Sequence, residues 1–256
     1  KYYGKEAYIN LGKDLVNHSI NDILVQGAYP LFFLDYFGCN CLDETILYNF
    51  IKGVSEICVN ENIVLLGGET AELGSIYTSN NNDCVGCIVG YKDTNYFKNI
   101  IQKGDIILGF DSHSPHTNGY SLIRKILSDC EKNNIIVPQD IIDALLIPHK
   151  TYINEIKYIV ENYGYDVIHN MAHITGGGLV ENIKRVTQYD INIDYNIIKT
   201  NMPLWCTFLM EKGKVDFEEM LNVFNCGVGY VIIVSKENSN KLLNDKKIKL
   251  RQIGYI

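Results

Sequence analysis

Several short stretches of this 256-residue chain carry side chains whose type and spacing suit the handling of phosphorylated small molecules. Asp14, Asn17, His18, Asn21 and Asp22 recur at the three- and four-residue spacing that places them on one face of a helix. Such a face is ordinarily just solvated. This one lacks Lys and Glu, and Asp14 and Asp22 offer the hard oxygen donors that Mg²⁺ prefers. The stretch Leu66-Gly-Gly-Glu-Thr-Ala-Glu72 leaves an apolar run at Ile63–Leu66. Gly67 and Gly68 let backbone approach a ligand closely. Glu69 can hold Mg²⁺ and Thr70 can donate to a phosphate, although a plain strand-exit turn would look the same.

Three further loops link strand-like and helix-like segments. Asp111-Ser-His-Ser-Pro-His-Thr-Asn-Gly-Tyr-Ser121 is expected to aim free N–H groups and a positive helix end at its contents. Ser112, Ser114, His116, Thr117 and Asn118 suit a phosphate or an amide, and one of them would suffice as an N-cap. Ala172-His-Ile-Thr-Gly-Gly-Gly-Leu179 holds three consecutive glycines, Gly176, Gly177 and Gly178, which are entropically costly and pack nothing. That favours an anion-cradling loop, with His173 as donor or proton shuttle. His169 reads as an ordinary strand histidine. In Phe224-Asn-Cys-Gly-Val-Gly-Tyr230 the alternating Gly227 and Gly229 are explained equally well by packing relief on one sheet face.

The elements that must position these residues follow from apolar periodicity. Helices are expected at 14–26, from Asp43 onward, at 120–130, 139–146, 149–162, after Gly178, and near 203–212, 216–222 and 236–243. Strands are expected at 31–36, 63–66, 84–91, 105–110, 166–169, 227–234 and 249–256. Helices and strands mix without strict alternation, which fits an α+β fold at least as well as a doubly wound sheet. The polar segment 93–104 predicts a division into domains 1–103 and 104–256.

Composition narrows the function. Lys and Arg number 23 against 30 Asp and Glu, a net charge of −7, and the one basic pair is Lys246-Lys247, so no nucleic-acid partner is expected. An anion must then be held locally. No apolar run is long enough to span a bilayer, no signal peptide is visible, and a cytoplasmic location is expected. The eight cysteines include one C-x-x-C, Cys84 and Cys87, within an apolar strand, which predicts buried reduced thiols rather than zinc. Walker, G-x-G-x-x-G and G-x-S-x-G patterns are absent. Lys1 rather than Met begins the chain, which predicts an upstream stretch in the natural protein.

Five blocks in this order resemble the phosphoribosylformylglycinamidine cyclo-ligase, or AIR synthetase, family. They are Asn21-Asp22 with Val25-Gln-Gly-Ala-Tyr-Pro-Leu-Phe-Phe-Leu-Asp-Tyr36; Gly67-Gly-Glu-Thr-Ala-Glu72; His116-Thr-Asn-Gly-Tyr-Ser-Leu122 with Arg124-Lys125; Ala172–Gly178 with Glu181-Asn182; and Phe224-Asn-Cys-Gly-Val-Gly229. The resemblance covers nearly the whole chain. It implies two α+β domains with mixed sheets flanked by helices, a homodimer formed through the first domain's sheet, and ATP with Mg²⁺ bound near that domain and between it and the second. It implies ring closure of formylglycinamidine ribonucleotide to aminoimidazole ribonucleotide, with ADP and phosphate released. The carboxylates Asp22, Glu69 and Asp14 are then metal ligands, and Asn21, Gly67, Gly68 and Thr70 join them on the ATP side. His116, Asn118, His173 and Thr175 become substrate-positioning or proton-handling groups. Ser112, Thr117, Gly176–Gly178 and Asn225 become ribonucleotide contacts.

The chain departs from that family in places. The family's G-T-D-G-V-G-T-K loop would precede the first helix, and this chain starts after it. Pro148-His-Lys-Thr-Tyr152 stands where the family shows P-T-R-x-Y. Two rival readings are a sister ATP-using enzyme (formylglycinamidine ribonucleotide synthetase, selenophosphate synthetase or thiamine-phosphate kinase type) and a nucleotide-binding homologue without turnover.

Overall fold

The computed structural model describes residues 2–78, 81–96 and 100–256, so residues 97–99 of the polar segment expected to divide the chain lie outside the described residues. The chain forms two compact units, Lys1–Asp93 and Thr94–Ile256.

In the first unit, helix α1 (Ala7–Leu24) and helix α2 (Glu44–Asn60) pack against one another and against a three-stranded sheet. The strands are β1 (Ala28–Cys39), β2 (Val64–Glu72) and β3 (Asn82–Lys92), in the order β2-β1-β3. The β1–β2 pair is parallel and β1–β3 antiparallel, so the sheet is mixed as expected. Helix α1 starts seven residues earlier than Asp14, where the polar face begins. Gly12 lies inside it because a Cβ there would collide with the Phe50 carbonyl on α2, and Gly53 meets the Ile9 carbonyl in the same way. Two helices crossing this closely need glycine at the contact. Asp43 caps α2 as predicted, its carboxylate accepting from Thr45 and Ile46 N–H.

Phe33, Asp35 and Phe37 of β1 point to the helix layer, and Phe37 packs on Phe50 of α2 with centroids 5.4 Å apart. Alternation sends Phe32, Leu34 and Tyr36 to the other face. Strand β2 was expected to stop at Leu66 and runs on to Glu72. Gly67 and Gly68 are therefore strand residues rather than a loop. Gly68 pairs with Asp35, and a Cβ on it would fall 2.5 Å from the Asp35 carboxylate. The glycine makes room for a neighbouring acid.

The second unit has a five-stranded sheet in the order β5-β7-β4-β8-β6. Its strands are β4 (Ile106–Asp111), β5 (Asn170–His173), β6 (Asn192–Ile193), β7 (Val228–Val234) and β8 (Leu250–Tyr255). Every neighbouring pair is antiparallel, so this sheet is not mixed. All of β7 is buried, which accounts for its unbroken apolar run. Helices α3 (Tyr120–Lys132), α4 (Gln139–Leu146), α5 (Ile153–Tyr163), α6 (Gly178–Lys184), α7 (Tyr195–Thr200), α8 (Leu204–Gly213), α9 (Phe217–Val223) and α10 (Lys236–Leu243) complete it. Ile107, Leu179, Ile183, Trp205, Leu209, Phe224, Val231 and Ile233 share one core.

Two boundaries matter for the site. Helix α5 begins at Ile153, not 149, where Thr151 Oγ1 accepts from the Ile153 N–H. Residues 149–151 are consequently irregular chain. Strand β5 lies four residues beyond the expected 166–169, because a 3-10 turn at Tyr165–Val167 follows Gly164 at φ +87°. His173 thereby becomes the last residue of a strand.

Candidate active site

The loop from β4 to α3 is built by its own hydrogen bonds. Ser112 Oγ donates to the Ser114 carbonyl at 2.8 Å, and Asn225 Nδ2 reaches the same carbonyl at 2.8 Å and Ser112 Oγ at 3.2 Å. Asn225 Oδ1 accepts from the Gly227 N–H at 3.0 Å. Ser112 and Asn225, expected to touch substrate, direct these groups at the loop's own framework. Buried polar groups need such partners. Arg251, which sequence reasoning missed, donates from Nη2 to the Gly227 carbonyl and pairs with Asp111, each at 2.7 Å.

His116 and Thr117 follow with φ of +51° and +59°, a left-handed pair of non-glycine residues. Their shape is held from within: Thr117 Oγ1 and Asn118 Nδ2 both donate to the His116 carbonyl. Strain of this kind is kept only where surrounding packing enforces it. Here the His116 ring is 1% exposed and lies on Gly229 of β7, where any Cβ would collide with it and with Tyr152 Oη. Packing relief on one sheet face, the sequence alternative for Gly229, is what the structure shows.

His173 closes β5 opposite Tyr230. The three glycines that follow each have a steric duty. Gly177 and Gly178 take φ of +92° and +68°, and a Cβ on Gly178 would collide with the Leu221 carbonyl. Gly176 lies under Asn118, whose Oδ1 would be 3.1 Å from an added Cβ. The Gly178 N–H donates to the Thr175 carbonyl at 3.0 Å. Asn182 of α6, 4% exposed, donates to the carbonyls of Thr175, Gly176 and Gly178 at 3.3, 3.3 and 2.7 Å. A purely structural account of the triple glycine is therefore stronger than the sequence suggested. The same contacts bring the His116–Asn118 and His173–Gly178 loops together.

His149 joins them, although the expected helix start at 149 hid it. Its ring stacks on His116 with centroids 3.9 Å apart and planes 18° apart. Its Nε2 lies 2.8 Å from His173 Nε2. Tyr152 Oη donates to the Asp111 carbonyl at 3.0 Å and lies 3.4 Å from His116 Nε2. Burial above all holds the Tyr152 phenol well above its usual range, so it stays neutral. Three imidazoles and a phenol thus converge beside two loops, a set suited to orienting an amide-like substrate and moving a proton. His169, by contrast, forms a buried pair with Asp105, Nδ1 to Oδ2 at 2.6 Å, at the other end of β5.

In the first unit Asp14, Asn17, His18, Asn21 and Asp22 all lie on α1. Asn17 and Asn21 are 5% and 0% exposed, so the face is not solvated throughout. His18 pairs with Asp22 at 3.1 Å. The Gly67–Thr70 set is divided by the strand: register places Gly68 and Thr70 with Asp35 and Phe37 toward the helices, and Gly67 and Glu69 with Leu34 and Tyr36 away from them. Glu69 is therefore not brought beside Asp14 and Asp22 within this unit. Burial pushes the Asp35 carboxyl up from its ordinary value. Cys84 and Cys87 also face opposite ways, pairing with Phe37 and Leu34, so one ion cannot bind both. Cys84 is pushed up to about 12, chiefly by burial, whereas Cys87 is exposed, contrary to the expectation of two buried thiols.

Residues 6–91 match the family model described as AIR synthase related protein, N-terminal domain, and residues 102–256 its C-terminal counterpart. The chain is 38% identical to phosphoribosylformylglycinamidine cyclo-ligase of Macrococcus caseolyticus, over 98% of this chain and 75% of that protein. It is 39% identical to the protein of that name from Cupriavidus necator, over 91% and 67%. In fold it resembles the hydrogenase maturation protein HypE, with a TM-score of 0.70 at 17% identity over 96% of this chain and 73% of that one. A HypE structure in complex with ATP superposes with a TM-score of 0.68 at 16% identity, over 96% and 70%.

Proposed function

The chain belongs to the AIR synthase related family, among the phosphoribosylformylglycinamidine cyclo-ligases, and from that premise we propose how it closes the imidazole ring of purine precursors. The enzyme converts formylglycinamidine ribonucleotide and ATP to aminoimidazole ribonucleotide, ADP and phosphate. A formamide oxygen is a poor leaving group. Transfer of the γ-phosphoryl group to that oxygen gives an iminophosphate, and phosphate departs when the amidine nitrogen attacks the same carbon. No protein nucleophile is needed. The protein must align two reactants and exclude water.

The observation that carries the residue assignment is the meeting of the two loops in the second unit, with Asn118 over Gly176 and His116 linked through His149 to His173. We assign the ribonucleotide to this place. His116, Asn118, His173 and Thr175 orient the formamide and amidine and carry protons. Backbone of Gly176–Gly178 and Thr117 faces the substrate, with Ser112 and Asn225 holding the loop in shape. The ATP side is assigned to the first unit, at Asn21 and Asp22 with Gly67–Thr70. ATP use has support in the ATP complex of the structurally similar HypE. For Mg²⁺, Asp14 and Asp22 share one face of α1 and each offers hard oxygen donors, but they stand about 12 Å apart along the helix axis, so one ion cannot take both. Glu69 lies on the opposite sheet face from the helix layer, so the three carboxylates do not fit one ion as a set.

A cytoplasmic homodimer completes the reading. Among the described residues no helix is long and apolar enough to cross a membrane. The sheet face away from the helices carries Phe32, Leu34, Val64, Val85 and Val89, with Val64 58% and Val85 49% exposed. A second copy is the expected cover.

The test is turnover by the full-length protein supplied with ATP, Mg²⁺ and formylglycinamidine ribonucleotide, with the aminoimidazole product detected by diazo coupling. Phosphate release that requires the ribonucleotide is expected. Absence of product would overturn the assignment.

A further inference from the structure

His149 belongs to neither of the two loops, and it departs from the P-T-R-x-Y pattern of the family. It lies in the irregular chain between α4 and α5 and is 1% exposed. One ring face stacks on His116, and its edge meets the His173 ring at 61° with centroids 4.9 Å apart. The Nε2 atoms of His149 and His173 are 2.8 Å apart.

A hydrogen bond between two imidazole nitrogens needs one N–H and one lone pair. If His149 Nε2 carries the proton, His173 Nε2 must accept it, and the reverse. Two neutral rings must therefore adopt complementary tautomers. A singly protonated pair retains the bond. A doubly protonated pair would set two N–H groups head to head at 2.8 Å and break it. The tautomer of one ring consequently dictates that of the other, as a hydrogen-bonded partner does for any histidine.

We propose that His149 is a positioning residue that couples the two site histidines, holding the His116 ring by stacking and tying the tautomer of His173 to its own through the Nε2–Nε2 hydrogen bond. The proposal rests on the assignment of His116 and His173 to the ribonucleotide. Loss of the His149 ring would loosen both at once: His116 would lose one of the surfaces its ring packs on, and His173 would lose the partner that its tautomer is tied to.

The test compares the full-length parent with His149→Thr and His149→Gln. Thr removes the ring, and Gln retains an amide able to donate or accept. Long-range ¹⁵N–¹H spectra of histidine-labelled protein read the tautomers without turnover. The parent should show complementary tautomers for His149 and His173, and His149→Thr should shift the His173 nitrogens toward a tautomer mixture. In turnover, His149→Thr should lower kcat by about 100-fold, the cost of a roughly 1 Å misplacement of reacting groups, with KM for ATP unchanged. His149→Gln should recover part of that loss. Should His149→Thr fail to fold, the Gln variant carries the same comparison, with a smaller fall in kcat. Unchanged His173 nitrogen shifts in folded His149→Thr overturn the proposal whether or not the enzyme turns over, and in the Gln variant unchanged shifts together with unchanged kcat do so. Changed shifts with unchanged kcat overturn the positioning role. A parent without turnover counts against the assigned reaction instead, because the spectra remain readable.

Discussion

Gly229 shows how much a single residue can settle in this protein. It has no unusual φ, and its neighbours in β7 are ordinary apolar strand residues. Its function is to be absent in volume, since any Cβ would run into the Tyr152 hydroxyl and the His116 ring. Gly229→Ala is therefore expected to destabilise the fold by about 1–3 kcal/mol, the usual cost of overpacking a filled site. Urea unfolding measures this, and ribonucleotide-dependent turnover should fall with it as His116 is displaced. Gly68 acts similarly beside Asp35. In both cases the type of residue was noticeable in the sequence, while the group it accommodates lies far along the chain. His149 was legible only as a departure from a family pattern, because a helix was expected to begin there.

At the scale of elements, most helices and strands follow apolar periodicity, and the exceptions have local causes. Asp105–His169 fastens the far end of β5, and Asn182 holds the start of α6 beside the site. A different clip fastens α5: Tyr158 and Tyr163 donate to Asp245 Oδ2 at 2.9 and 2.7 Å, while the Lys247 N–H donates to Oδ1 at 2.9 Å. The Lys247 N–H first, and then the two phenols, hold the Asp245 carboxyl below its ordinary value. A carboxyl depressed in the folded state contributes stability that is present above its unfolded value, about 3.9, and is lost as pH falls through the lower folded value. Asp245→Asn should thus be less stable than the parent at neutral pH. The gap in urea midpoint should close as pH drops below the ordinary carboxylate range. A gap that persists unchanged in acid would show that the charge on Asp245 is not its cause.

For the whole molecule, the net charge of −7 leaves no broad positive field, so anionic substrates depend on local donors. Each unit has its own sheet and core, and the first presents an apolar sheet face. Val85→Glu is expected to convert the proposed dimer into a monomer, because a charge in the middle of an apolar interface stays unpaired. Light scattering coupled to size exclusion reads the mass directly, and a variant that remains dimeric would place the interface elsewhere.

The sequence by itself determined the α+β class, the family, the reaction and the order of the loops that carry polar groups. The class and the loop order follow from periodicity along the chain, and the five ordered blocks carry the resemblance that implied the family and the reaction. Only the tertiary structure decided which partners each loop residue meets. Asn225 and Ser112 are 113 residues apart and hold each other. Glu69 and Thr70 are adjacent and face opposite ways. His116, His149 and His173 come from three separate segments and meet in one buried cluster. Such partnerships depend on how distant segments close on one another and on which face a strand turns inward, and local spacing carries neither.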